Sequence, residues 1–244
     1  MSARTIVVTG AGQGIGKAIA LAFARDGARV VLAARTAAKL EAVADEVRAA
    51  GGEPVVVPTD VGDAAQVAAL ASRAGTADSA ILAAGIAGPI APAWEVATAD
   101  FEATLRANLT GAFLCGRALL PAMVARGSGS VVAIGSMTGK RPLLHRTAYG
   151  ASKMGLIGLV RALAWDAGPH GVRVNLISPG PVAGSRLDAV ADDDARAALL
   201  AGAPLGRFAT AEDVAATVRF LCSDAAAAIT GEDVNVSAGT VTHG

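Results

Sequence analysis

The sequence predicts an α/β fold of the doubly wound kind, a single domain built on a seven-stranded parallel sheet. Three observations predict it. Short apolar runs rich in Val, Ile and Leu recur along the chain. Each is followed by a longer stretch of helical periodicity, which is the alternation of βαβ units around a parallel sheet. The runs are also hydrophobic throughout instead of alternating in and out, as strands covered by helices on both faces are. The expected strands are 5–9, 28–33, 54–58, 79–83, 129–134, 172–178 and 233–236. A doubly wound sheet binds its ligands at the carboxyl ends of its strands, so those ends are where chemistry is sought.

The bulk composition agrees. With 244 residues, 53% hydrophobic and 17% charged at zero formal net charge, the chain can bury a large core. No stretch reads as a linker, so one domain over 1–244 is expected. Balanced charge leaves no footprint for nucleic acid or an anionic membrane. The apolar segments are broken by Gly, Asp or Arg, and none is expected to reach the roughly 20 residues of a bilayer span. The start runs into a strand-like stretch without the layout of a signal peptide, so a cytoplasmic location is expected. Cys115 and Cys222 read as free buried thiols, and His145, His170 and His243 have no ligand spacing, so no metal is expected. The Ala-rich stretches 195–203 and 225–228 read as helix.

The first strand ends in Thr9-Gly10-Ala11-Gly12-Gln13-Gly14-Ile15-Gly16, followed by a helical pattern. Glycines at such a turn let the backbone approach a pyrophosphate, which then meets the amides and positive end of a helix. Gly also marks ordinary turns. What gives Gly10, Gln13, Gly14, Ile15 and Gly16 a nucleotide-binding reading is their place after a first strand. The second strand ends at Ala33-Ala34-Arg35, about 20 residues on, where a ribose-reading residue is expected. A carboxylate there would bind the ribose diol. Arg35 instead offers a guanidinium fork for a phosphate, with Thr36 beside it and Lys39 one helical turn later. The alternative is that Arg35 is a solvated loop residue. After the third strand, Asp60 and Val61 are placed to contact adenine, or Asp60 to cap the next helix.

Tyr149 opens the run Tyr149-Gly150-Ala151-Ser152-Lys153, and four-residue spacing on a helix sets the two side chains side by side. An adjacent ammonium favours the phenolate, so Lys153 is expected to draw the Tyr149 pKa down and make it an acid or base usable near neutral pH. Tyr149 is the only tyrosine and Lys153 one of four lysines, so chance is a poor explanation. Ser136 lies thirteen residues upstream at the end of the fifth strand, where its hydroxyl could hold a carbonyl oxygen. Asn108, taken alone, reads as a helix-interrupting or capping residue.

Together TGAGQGIG, Asn108-Leu109-Thr110-Gly111, Ser136, YGASK and Ser178-Pro179-Gly180 resemble the short-chain dehydrogenase/reductase family, in the branch that includes 3-oxoacyl-carrier-protein reductases. The resemblance covers essentially the whole chain. It implies a Rossmann-type fold, a nicotinamide cofactor, and Asn108, Ser136, Tyr149 and Lys153 as a catalytic tetrad. In that scheme Lys153 also binds the nicotinamide ribose and Asn108 holds a water in a proton relay. Ala84 and Gly85, after the fourth strand, and Pro179, Gly180 and Val182 join the implied cofactor contacts. A dimer or tetramer is implied too. The chain departs from the pattern at Leu82-Ala83-Ala84-Gly85, where the family has Asn-Asn-Ala-Gly, so packing is expected to support the central strands. Its helix between 60 and 79 is about a turn short, Gly184 replaces a Thr for which Ser185 could substitute, and Val236-Ser237-Ala238-Gly239 replaces the usual Asp-Gly-Gly.

The expected reaction moves a hydride between a nicotinamide and a ketone or secondary alcohol, with Tyr149 as general acid/base. NADP(H) is expected on the strength of Arg35, with NAD(H) possible in view of Gln13. Substrate is expected over 137–148 and beneath a lid at 181–207, touching Ser136, Met137, Leu143, Arg146, Tyr149 and Arg186. Arg146, with Arg141 and Arg186, could clamp an anionic substrate. Those arginines could equally be solvated or face another subunit, and Leu143 and Leu144 would suit a neutral ketone. Two alternatives stand beside this reading: an NAD-dependent alcohol dehydrogenase working in the oxidative direction, and a nucleotide-binding sensor without turnover.

Overall fold

The computed structural model describes residues 3–184 and 192–241. Seven strands form one sheet, β1 (Thr5–Thr9), β2 (Arg29–Ala34), β3 (Glu53–Pro58), β4 (Ser79–Leu82), β5 (Gly129–Ile134), β6 (Val172–Pro179) and β7 (Asp233–Val236). All neighbours are parallel, in the order β3-β2-β1-β4-β5-β6-β7. The helices are α1 (Gly14–Ala24), α2 (Ala37–Ala49), α3 (Ala64–Ala74), α4 (Thr98–Leu105), α5 (Gly111–Arg126), α6 (Thr147–Ala167), α7 (Asp193–Ala201) and α8 (Ala211–Leu221). The doubly wound reading therefore holds, with no strand end displaced by more than one residue.

Strand pleating divides the core. Val7 points to one face with Val31 and Val131, packed under Leu70 of α3, Leu119 and Met123 of α5, and Leu156 and Val160 of α6. Ile6 and Val8 point to the other with Leu32 and Ile81, under Ile19 and Phe23 of α1, Leu40 and Val47 of α2, and Val214 and Val218 of α8. Both faces are covered, which is why the strands carry no polar alternation. Chain order reverses between β1 and β4, and that reversal opens the crevice in which such sheets bind ligands.

One helical feature departs from expectation. α4, a π-helical turn at Arg106–Thr110 and α5 join into a continuous run, Thr98–Arg126, whose 29 residues are long and apolar enough to span a bilayer. The sequence breaks at Arg106 and Arg117 do not interrupt it. Its apolar residues Leu114, Cys115, Leu119, Leu120 and Met123 are buried against the sheet, so this is a core helix. Both cysteines are free and buried, and burial pushes the Cys115 thiol up to about 12 and raises that of Cys222.

The carboxyl end of α8 is fastened by cations. Arg173 donates to the carbonyls of Leu221 at 2.7 Å and Ser223 at 3.1 Å, and Arg4 donates to Cys222 at 2.7 Å. These satisfy orphan carbonyls at the negative end of the helix dipole. At its amino end Thr210 and Asp213 form a capping box, and the Arg207 guanidinium, with the Thr210 backbone, holds the Asp213 carboxyl down to about 2.

Candidate active site

At the end of β1 the backbone is too tight for side chains. A Cβ on Gly10, at φ 69°, would stand 2.8 Å from the Ala83 carbonyl oxygen, and one on Gly16 would stand 2.2 Å from that of Gly10. α1 begins at Gly14 with extended Gln13 before it, no side-chain cap and no acid in its first turn. Among the described residues no side chain caps its amides or its positive end, which suit an anion. Ile15 is half-buried against the core and supports the turn from below. A glycine cradle opening on an uncapped helix fits a dinucleotide pyrophosphate.

Arg35 and Thr36 lie exposed at the start of α2, which also has no acid in its first turn. Lys39 Nζ donates to Gln13 Oε1 at 2.7 Å, so an ammonium is held over the glycine turn by the residue whose neutrality seemed to argue against it. Asp60 is not the cap of α3. That role belongs to Asp63, which accepts from the amides of Ala65 at 2.8 Å and Gln66 at 3.2 Å. Those bonds from Gln66 and Ala65 hold its carboxyl below the usual range. Asp60 accepts from Gly62 at 2.9 Å and stays exposed. Val61 turns its side chain into the core against Gly111, so only its backbone can meet a ligand.

The segment Leu82-Ala83-Ala84-Gly85 has a support that the sequence reading overlooked. Thr9, 1% exposed, donates from its hydroxyl to the Ile81 carbonyl at 3.2 Å and accepts from the amides of Ala83 at 3.1 Å and Ala84 at 3.2 Å. Polar bonds as well as packing hold the ends of β1 and β4 together.

The four residues of the expected tetrad come together at the end of β5. Lys153, 6% exposed, donates from Nζ to the Ile134 carbonyl at 2.8 Å and stands 5.6 Å from the centroid of the Tyr149 ring. Ser136 lies two residues past Ile134 in extended backbone, its Oγ 3.2 Å from Thr138 Oγ1 and from the Thr138 amide. Asn108 is buried in the π-helical turn. Its Oδ1 accepts from the Ile86 amide at 2.7 Å, and its Nδ2 donates to the Ile86 carbonyl at 3.0 Å and to Ser152 Oγ at 2.9 Å. Ser152 in turn donates to the Tyr149 carbonyl at 2.8 Å. Asn108 does not break the helix, which runs through it as a π-helical turn, and its amide is committed to positioning and leaves little side-chain capacity for a water. Ser152 was missed by sequence reasoning, although it sits inside the YGASK run. Gly85 adjoins both groups: a Cβ there would stand 2.9 Å from Asn108 Oδ1 and 3.8 Å from Lys153 Nζ.

Pro179 ends β6, and Gly180 donates its amide to Val236 at 3.0 Å where a Cβ would strike Ser237. Val182 pairs with Ala209, which brings the two ends of the 181–207 segment side by side. Ser185 and Arg186 lie outside the described residues. Met137 is buried. Leu143 and Arg146 border a groove of about 270 Å³ that also touches Thr147 and Met154 of α6 but not Ser136 or Tyr149. Arg146 nonetheless stays by the tyrosine, its Cζ 5.8 Å from the ring centroid and its guanidinium donating to the Ala87 carbonyl at 3.2 Å. Arg141 turns away to the Thr240 carbonyl. Of the two described arginines of the expected cluster, Arg146 stands beside Tyr149 and Arg141 does not.

Comparison with known proteins agrees with this fold. A family model described as enoyl-(acyl carrier protein) reductase matches residues 10–241. The chain is 40% identical over 240 residues to cis-4-hydroxycyclohexanecarboxylate dehydrogenase of Sinomonas cyclohexanicum, covering 97% of this chain and 96% of that one. It is 35% identical over 258 residues to a 3-oxoacyl-[acyl-carrier-protein] reductase of Synechocystis, covering 99% and 98%. Among solved structures, 7α-hydroxysteroid dehydrogenase complexed with NADH and 7-oxo glycochenodeoxycholic acid superposes with a TM-score of 0.92 at 32% identity, covering 97% of this chain and 93% of that one.

Removing the Thr9 hydroxyl while keeping its shape orphans two partly buried amides. Thr9→Val is expected to lower unfolding stability by about 1–3 kcal/mol, read from the urea midpoint. An unchanged midpoint would show that packing alone holds the two strands.

Proposed function

Because the chain belongs to the short-chain dehydrogenase/reductase family, we propose that it interconverts a ketone and a secondary alcohol with Tyr149 as the proton-transferring group. One observation carries the reading: the convergence of Ser136, Tyr149, Lys153 and Asn108 at the end of β5, beside the glycine cradle. Bound nicotinamide supplies a hydride at C4. Ser136 Oγ donates to the carbonyl oxygen, and Tyr149 delivers its phenolic proton as charge develops there. Lys153, buried beside the ring, favours the phenolate that remains and is placed to hold the nicotinamide ribose. Asn108 acts through Ser152 and Ile86, fixing the helix that carries Tyr149. The alcohol is oxidised by the same groups in reverse.

Within this reading the cofactor is NADP(H). Arg35 carries no hydrogen bond or ion pair among the described residues, Thr36 leaves its helix start uncapped, and Lys39 is held above the turn by Gln13. Three donors and no carboxylate favour a 2'-phosphate. The neighbour complexed with NADH supports NAD(H) as the second reading.

The substrate we propose carries a carboxylate at some distance from its carbonyl. Arg146 spends one bond on Ala87 and keeps its remaining donors beside Tyr149. The relative named for a hydroxycyclohexanecarboxylate points the same way. Entry would pass between 137–148 and the 181–207 segment. Self-association into a dimer or tetramer belongs to the same proposal, supported by exposed Phe113, Met154 and Trp165 on α5 and α6.

Three tests follow from these assignments. Tyr149→Phe is expected to cut turnover by ~10²-fold or more while cofactor binding, followed by fluorescence titration, stays near parental. Parental turnover in that variant would remove Tyr149 from the chemistry. The double change Ala34→Asp, Arg35→Ala is expected to move the NADP(H)/NAD(H) ratio of kcat/KM about tenfold or more toward NAD(H), the loss of charge-assisted bonds worth ~1.5–3 kcal/mol. A parent that prefers NAD(H) would overturn the cofactor assignment. Arg146→Ala is expected to lower kcat/KM about tenfold for 4-oxocyclohexanecarboxylate and little for 4-methylcyclohexanone. Equal losses on both ketones would refute the carboxylate clamp.

A further inference from the structure

Lys140 lies one short turn beyond Ser136, and its side chain is turned away from solvent. Its side chain is 8% exposed and that of Asp233, its ion-pair partner at 2.9 Å, is 6% exposed. The ammonium also donates to Asn235 Oδ1 at 2.6 Å. Asp233 and Asn235 are alternate residues of β7, so both project from the same face of that edge strand. The carboxylate accepts no hydrogen bond among the described residues, which leaves the charge of Lys140 as its compensation. A buried ion pair is costly against an apolar pair of the same size. Its presence calls for a role beyond stability.

The turn that Lys140 closes explains that role. Ser136 Oγ caps it by accepting from Thr138, the Gly139 amide donates to the Ser136 carbonyl at 3.1 Å, and the amides of Lys140 and Arg141 donate to Met137 at 2.9 and 2.8 Å. On the other side a Cβ at Gly139 would stand 3.0 Å from the Lys153 carbonyl carbon and the Met154 amide nitrogen. The turn is thus pressed on the backbone of α6, at Lys153 itself, and tethered to β7 across 93 residues of sequence. We propose that Lys140 is a positioning residue: its buried contact with Asp233 and Asn235 anchors the 136–141 turn and so sets the distance from Ser136 Oγ to Tyr149 and Lys153. The proposal rests on reading Ser136 as the donor to the substrate oxygen.

Hydrogen exchange of the intact protein, combined with kinetics, tests it. In Lys140→Met and in the isosteric Asp233→Asn, amides of the 138–141 turn are expected to exchange about tenfold faster while those of β1 and β4 are unchanged. Turnover of 4-oxocyclohexanecarboxylate is expected to fall about tenfold with the cofactor Kd within about twofold of parental, because a misplaced donor costs kcat and spares nucleotide binding. Lys140→Arg, which keeps the charge, is expected to recover most of both. If Lys140→Met does not fold, Asp233→Asn carries the test alone. Unchanged turn exchange in the folded variants, or a loss of cofactor affinity equal to the loss of turnover, overturns the anchor. Ser136→Ala with parental turnover would instead remove the function assigned to Ser136, and the exchange result would still judge the anchor.

Discussion

The Lys153 ammonium is almost shut off from water at the end of β5, and the geometry of the site follows from how it is satisfied. A buried cation needs compensation, and here a strand-end carbonyl at 2.8 Å and the face of Tyr149 at 5.6 Å supply it. The carbonyl belongs to Ile134, so the start of α6 is tied to the end of β5. Tyr149 then falls one turn earlier on the same helix face. Asn108 reaches the same helix from the π-helical turn through Ser152. Four side chains from three elements are thereby placed by a handful of polar bonds, each to a buried or strand-end group.

The nucleotide end and the chemical end of the crevice meet at Gly85. Behind it, Thr9 joins β1 to β4 with three hydroxyl bonds, and Gly10 lets the two backbones approach. In front of it stand Lys153 and Asn108, the latter too close for a side chain. The switch point of the sheet and the helix that carries Tyr149 therefore share one tight boundary. This is a physical reason for a cofactor bound at the first to reach a substrate held by the second.

Strands were legible in the sequence because burial on both faces leaves unbroken apolar runs. The juxtaposition of Tyr149 and Lys153 was legible because they are rare residue types at helical spacing. Boundaries were less so: β4 stops at Leu82 because the next two amides turn to Thr9, and β6 runs on to Pro179 because an edge pairing with Val236 is open to it. The cap of α3 fell to Asp63 and not Asp60, both being acids just before an apolar stretch. Long-range polar pairs left no local trace. Nothing in the neighbourhood of Lys140 or Lys39 names Asp233 or Gln13, since such partners are chosen by the packing of the sheet. The continuous helix through Asn108 was hidden for a similar reason, a π-helical turn having no compositional signature.

The central claim, that Ser136 and Tyr149 converge on one substrate oxygen in front of a nicotinamide lodged by the glycine turn, is tested most directly by a crystal structure of the ternary complex with NADP(H) and 4-oxocyclohexanecarboxylate. The account predicts the carbonyl oxygen within hydrogen-bonding distance of both Ser136 Oγ and Tyr149 Oη, near 2.6–3.2 Å, with Lys153 on the nicotinamide ribose. A carbonyl bound away from either hydroxyl, or a ribose out of reach of Lys153, would contradict it.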